Sequence, residues 1–133
     1  PDKTIDVDQE AAKKSIDLAT EKNVNRYIMV SAIGAKDPEA QSAIQHYFKA
    51  KAIADHHLMD TNLNYTIFRP GRLTNEPGQG TISVATNLGR KGSTSRDDLA
   101  LAIVESLEEM STYKKVIEIL DGDTPIEEAL KDF

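Results

Sequence analysis

The sequence predicts an α/β fold: the C-terminal part of a doubly wound parallel sheet, with helices on both faces. Three observations point that way. Two apolar runs, residues 27–30 and 65–68, show no polar alternation, and a third, 116–120, is interrupted only by Glu118. Unbroken runs of this length fit strands covered on both faces, as in a parallel sheet. Segments with helical spacing separate the runs, and turn-forming residues follow each one, at Gly34, Arg69-Pro70-Gly71 and Asp121-Gly122-Asp123.

The elements follow in order. Asp6 or Asp8 is expected to cap a helix that runs to about Lys22 and turns Ala12, Ile16 and Ala19 inward. The first strand ends at Ser31, and a loop over 35–39 containing Pro38 leads to a long helix over 41–60. Ile44, Phe48, Ala52 and Met59 are among that helix's apolar residues. The second strand stops at Arg69-Pro70-Gly71, residues 75–80 form a loop, and 81–86 suggest a short extra strand. Ser95 with Asp98 three residues on reads as a capping box. It opens a helix to about Met110 with Leu99, Ile103 and Leu107 inward. Glu118 in the third strand suggests a sheet edge. Thr124, Pro125 and Glu127 then supply the cap, first-turn proline and first-turn acid of a last short helix. Three main strands make one half of a doubly wound fold, the opening helix has no strand to cross over from, and the chain begins at Pro1. Residues 1–133 are therefore expected to be a partial domain.

Composition removes several function classes. The 133 residues carry 16 Lys and Arg against 22 Asp and Glu, a net charge of -6, so no basic stripe is available for nucleic acid. The apolar runs are too short to span a bilayer. The sequence has no cysteine, which removes disulfides, thiolate nucleophiles and cysteine-based zinc sites. A cytoplasmic protein acting on a small molecule is the expectation.

In open parallel sheets ligands bind beyond the carboxyl ends of the strands. Here those ends are Ser31-Ala32-Ile33-Gly34 and Pro70-Gly71-Arg72-Leu73. On the helix between them Tyr47 and Lys51 are four residues apart and share a face. An ammonium next to a phenol favours its ionised form, so such a pair can pass a proton while the lysine also holds a ribose. A Ser at the neighbouring strand end can hold a substrate oxygen. The pair alone is a weak signal; its place directly after a buried strand ending in Ser strengthens it. His46, His56 and His57 lack metal-ligand spacing. Arg69 and Arg72 could meet a phosphate or an acidic substrate, or form ion pairs within the fold. Asp97 and Asp98 read as first-turn acids. Gly78-Gln79-Gly80 is not a phosphate loop, because it leads into a strand-like segment. No Gly-rich turn feeds a helix N-terminus, so the pyrophosphate half of any dinucleotide site is expected outside these residues.

Six segments occur together in one order: residues 2–9, 26–31 (Arg26-Tyr27-Ile28-Met29-Val30-Ser31), 46–51 (His46-Tyr47-Phe48-Lys49-Ala50-Lys51), 65–73, 95–100 and 122–126. Jointly they resemble an atypical short-chain dehydrogenase/reductase of the NAD(P)H-binding, NAD-dependent epimerase/dehydratase-like group. The resemblance covers essentially the whole chain and implies a Rossmann-like domain whose first strands and Gly-x-x-Gly-x-x-Gly loop precede residue 1. By resemblance, Tyr47 is the catalytic acid/base and Lys51 its ribose-holding partner. Ser31 is the strand-end serine, and Asp8 supports the proton relay. Val30, Ser31, Lys51, Pro70, Gly71, Arg72 and Leu73 are the residues expected against the cofactor, NADP or NAD. Ala32 stands where the family often has a second Ser, and Ala11 where Gly is frequent.

Three functions follow as expectations: an NAD(P)H-dependent oxidoreductase or epimerase-like enzyme, a regulatory protein that senses NADP(H) through a degenerate site, and, for these residues alone, an inactive piece. An unpaired strand edge would favour self-association.

Overall fold

Every residue of 65–70 is buried, the pattern of a strand with partners on both edges and cover on both faces. The computed structural model describes residues 3–40 and 44–133. In it β1 (Tyr27–Val30) and β6 (Lys115–Asp121) both pair in parallel with β2 (Tyr65–Pro70). The register sets Val30 beside Phe68 and Phe68 beside Ile117. The extra strand read at 81–86 is β4 (Thr81–Ala85), which joins β6 in antiparallel sense. A two-residue strand, β7 (Thr124–Pro125), completes the order β1-β2-β6-β4-β7. Among the described residues nothing pairs with the outer edge of β1, and its four residues are only half-buried. A separate parallel pair, β3 (Arg72–Thr74) and β5 (Ser93–Ser95), flanks the carboxyl end of β2.

Alternation along the strands divides the core between two faces. Tyr65 and Ile67 of β2 pack with Ile16 and Ala19 of α1 (Ala12–Glu21) and Leu58 of α2 (Gln45–Met59). Phe68, Ile117 and Ile119 pack on the other face with Leu99 and Ala102 of α3 (Arg96–Ser106) and Ile126 and Leu130 of α4 (Ile126–Lys131). Helices on both faces of a mostly parallel sheet are the predicted α/β arrangement. No described helix is long and apolar enough to cross a membrane.

Arg26, just ahead of β1, ties distant segments together. Its guanidinium donates to Thr66 Oγ1 at 2.9 Å, to the Ser106 carbonyl at 2.9 Å and to the Leu107 carbonyl at 3.0 Å. It lies 4.3 Å from the centre of the Tyr113 ring.

Several local expectations need correction. Glu118 does not mark an edge: β6 lies between β2 and β4, and the residue is 0% exposed. The Leu88 N–H donates to Glu118 Oε1 at 2.8 Å, and Lys36 Nζ lies 3.0 Å from Oε2. A counter-ion from outside the strand makes the burial tolerable. Neither Asp6 nor Asp8 caps the first helix. A π-helical stretch, Thr4–Ala11, begins after Lys3, takes both acids into its interior and runs directly into α1. The start of the long helix read at 41–60 lies partly outside the described residues, and α2 begins at Gln45. Ile44, read among the helix's apolar residues, stands just ahead of it, with a left-handed φ of 45° and 58% exposure. Met59 and Leu107 are also exposed, while Ala50, Ala54 and Leu58 carry the packing of α2. Pro70 belongs to β2 as its last residue, where a missing N–H costs least. Thr124 and Pro125 pair with β4 before α4 starts at Ile126. Ser95 does cap α3, accepting the Asp98 N–H at 3.0 Å, but the Asp98 carboxylate does not turn back to Ser95. It accepts the N–H groups of Gln79 at 3.1 Å and Gly80 at 2.9 Å, and Asp97 accepts that of Gly78 at 3.0 Å. Two consecutive acids thus latch the loop ahead of β4.

Candidate active site

The carboxyl ends of β1 and β2 open into a cavity of about 780 Å³. The Ser31 N–H continues the ladder beyond β1, donating to the Phe68 carbonyl at 2.7 Å, so the serine is fixed at the strand tip. Beyond it Gly34 packs against Phe48 of α2; a Cβ there would fall 2.5–2.8 Å from three atoms of that ring. Only glycine lets the turn approach the helix this closely. At the other strand end Gly71 is pressed between the Gly92 carbonyl and Leu120. The Gly71 N–H donates to Thr94 Oγ1 at 3.1 Å, whose own proton goes to the Ile119 carbonyl at 2.7 Å. The β3–β5 pair is thereby bound to the main sheet and forms a second wall.

Of the residues singled out in the sequence, Ser31, Tyr47, Pro70, Gly71, Arg72 and Leu73 line this cavity. Val30, Lys51 and Asp8 do not belong to its lining. Tyr47 is half-buried, with its ring edge-to-face on Phe48 at 5.4 Å. Lys51 stands one turn behind, its Nζ 5.5 Å from the centre of the Tyr47 ring and 3.2 Å from Asp8 Oδ1. The acid expected to support a relay is thus the lysine's counter-ion.

Sequence reasoning missed Asp55, one further turn along the same face. The residue is 0% exposed. Its Oδ2 receives the Ser31 hydroxyl proton at 2.8 Å, Arg69 Nη2 at 2.9 Å and Arg69 Nε at 3.1 Å. Oδ1 is buried without a hydrogen-bond partner. Burial pushes the Asp55 carboxyl above the usual carboxylate range, while the Arg69 charge and then the Ser31 hydrogen bond pull it partway back. Arg69 is therefore an ion-pair residue of the fold rather than a phosphate ligand. Ser31 offers the cavity lone pairs, since its proton is committed beneath. The signal was present in the sequence: Tyr47, Lys51 and Asp55 continue one i,i+4 row, and a buried carboxylate requires a cation such as Arg69. His57 pairs with Asp17 at 2.6 Å, His46 and His56 are exposed, and the described residues contain no cluster of metal-ligating side chains.

A mostly parallel sheet with helices on both faces and an open cavity at its strand ends defines a Rossmann-like fold. Over residues 1–110 the sequence matches the NAD(P)H-binding family. It is 47% identical over 131 residues to an uncharacterised sugar epimerase of Bacillus subtilis, aligning 98% of this chain with 61% of that protein. Among solved structures, a Bacillus halodurans protein described as a candidate NAD-dependent epimerase/dehydratase superposes with a TM-score of 0.95 at 38% identity. That match covers 98% of this chain and 62% of the other. An oxidoreductase of Lactococcus lactis gives a TM-score of 0.89 at 34% identity over 98% and 62% of the two chains. The chain thus spans about three fifths of the length of the relatives it matches. It belongs to the NAD(P)H-binding family.

Proposed function

We propose that these residues form the substrate-facing part of an NAD(P)H-dependent oxidoreductase or epimerase-like enzyme in which Tyr47 transfers the proton. The observation that carries this reading is the convergence of Tyr47 with the Ser31 strand end in one cavity, with the Lys51 ammonium a turn behind the phenol. The residues present fit the nicotinamide end of a dinucleotide. Ile33, Phe48 and Leu73 give a flat ring an apolar wall, and the Pro70-Gly71 strand end forms a shelf beside it. The cofactor, NADP or NAD, supplies or accepts a hydride when bound. Tyr47 Oη gives its proton to, or takes it from, the substrate oxygen. The Lys51 charge stabilises the negative charge left on that phenol, and its remaining N–H groups are available to ribose hydroxyls. Asp8 fixes the lysine ammonium. Ser31, held by Asp55, accepts a hydrogen bond from the ligand.

Replacing Tyr47 with Phe in the intact protein removes the proton donor and preserves the ring. Turnover is expected to fall by about 10²–10⁴-fold with NAD(P)H affinity unchanged. Equal turnover in the two proteins would remove Tyr47 from the mechanism. The 133 residues alone are expected to bind NAD(P)H weakly or not at all, since they contain no Gly-rich phosphate turn; micromolar binding by calorimetry overturns this.

A second reading, a nicotinamide-sensing regulatory protein, is favoured by Ala32 at the second strand-end position and by the commitment of the Ser31 proton to Asp55. Substrate-dependent oxidation of NAD(P)H above background rules it out.

A further inference from the structure

The charge on the cavity wall runs against that of the chain. The sequence has 22 acids and 16 bases, yet the cavity lining includes Arg72, Lys91 and Arg96 and no carboxylate. Three cations elsewhere in the fold are paired with acids, from the exposed Lys36 to the buried Arg69, whereas the exposed Arg72, Lys91 and Arg96 are not. Lys36 faces Glu118 at 3.0 Å, Lys51 faces Asp8 at 3.2 Å and Arg69 faces Asp55 at 2.9 Å. Among the described residues no carboxylate pairs with any of the three cavity cations. Among the described residues the Arg72 guanidinium meets Ser93 Oγ, at 3.3 Å, and that of Arg96 meets Asn75 Oδ1, at 2.8 Å. Both partners are neutral and hold the guanidinium groups without discharging them. The acids nearest in sequence are engaged elsewhere: Asp98 spends both oxygens, and Asp97 one, on the backbone N–H groups of residues 78–80. Tyr47 and Phe48 reach the same cavity from α2, so an apolar and proton-transferring side faces a cationic one.

We propose that the substrate of this cavity is an anion: a molecule with an apolar body and a carboxylate or phosphate that Arg72, Lys91 and Arg96 receive. The apolar body lies against Ile33, Phe48 and Leu73, with its reacting oxygen toward Tyr47. This inference rests on the reading of the cavity as an active site. The same anion chemistry could be offered by the phosphates of the dinucleotide, and the experiment separates the two sources.

Three probes of one shape, benzoate, benzyl alcohol and benzylammonium, are titrated into the intact protein by NMR or calorimetry, alongside NADPH. Benzoate is expected to bind about tenfold more tightly than benzyl alcohol, with benzylammonium weakest, and the preference is expected to shrink with salt. The variant Arg96→Gln, and separately the loop variant Lys91→Gln, should each weaken benzoate by about three- to tenfold while leaving benzyl alcohol and NADPH within about twofold. Equal affinity for benzoate and benzyl alcohol overturns the proposal. So does a loss confined to NADPH, which would assign the cations to the cofactor's phosphates. A benzoate preference that persists in Tyr47→Phe supports the anion site whatever happens to turnover, so the two readings fail separately.

Discussion

Asp98 lets the coupling between loop and helix be tested quantitatively. The residue is 1% exposed, and both of its oxygens accept backbone N–H groups, at 2.9 Å from Gly80 and 3.1 Å from Gln79. Substituting Asn keeps the shape and removes one acceptor and the charge. One charge-assisted hydrogen bond, of about 1.5–3 kcal/mol, is lost outright and the other becomes a neutral bond weaker by about 1 kcal/mol. The favourable placement of an acid in the first turn of α3 adds about 0.3–1 kcal/mol. Because Gln79 and Gly80 are exposed, water replaces part of what is lost, and the net cost expected for Asp98→Asn is about 2 kcal/mol. In urea this shifts the unfolding midpoint down by about 1 M for a chain of this size. The amides of Gln79 and Gly80 should exchange with deuterium about 30-fold faster, since 1.4 kcal/mol is a factor of ten. Arg96, tethered to Asn75 of the same loop, should lose order with it. Unchanged exchange at both glycine-loop amides would refute the latch, whatever the global stability.

Three further outcomes are expected. Because the Asp55 carboxyl is raised by burial, the folded state holds its proton more tightly than the unfolded chain. That contribution is complete below the unfolded value near 4 and is lost as pH rises through the raised folded value. Asp55→Asn should therefore flatten the fall in thermal midpoint as pH rises above about 4, and parallel curves would contradict this. At the Lys36–Glu118 pair, Lys36→Met leaves a fully buried carboxylate uncompensated, whereas Glu118→Gln leaves an ammonium that can turn to water. Urea midpoints should show the first costing about 2–3 kcal/mol and the second about 1 kcal/mol, and the reverse order would mean the charge is not held as described. Gly34→Ala drives a methyl into the Phe48 ring and should lower the melting temperature by about 4–10 °C, at a cost of about 1–3 kcal/mol. Adding Phe48→Ala should cost less than the sum of the two single changes, and strict additivity would place the clash elsewhere.

The strands were legible because a strand covered on both faces must be apolar at every position, as at Tyr27–Val30 and along most of 65–70. Helix positions were legible from spacing, and Ser95 from its cap. Features that depend on distant partners were not. Glu118 looks like an edge residue until Lys36 arrives from the turn after β1, and Asp55 looks like surface until Arg69 comes in on β2. The strands β3 and β5 have three residues each and no apolar run to announce them; backbone pairing and the Thr94 hydroxyl hold them. For the site, spacing placed Tyr47 and Lys51 on one face and the strand ends beside them. It could not show that Lys51 would spend a hydrogen-bonding direction on Asp8, or that Arg72, Lys91 and Arg96 would line the same cavity.

The clamp at Arg26 bears on kinetics. Its acceptors belong to the start of β2 and the end of α3, segments that meet β1 only after the sheet and its covering helix have docked. Contacts of such long sequence separation carry a large loop-closure entropy, and we expect them to consolidate on the native side of the folding barrier. A clamp closed after the barrier resists opening more than it guides assembly, so removing the Arg26 guanidinium should raise the unfolding rate more than it lowers the folding rate.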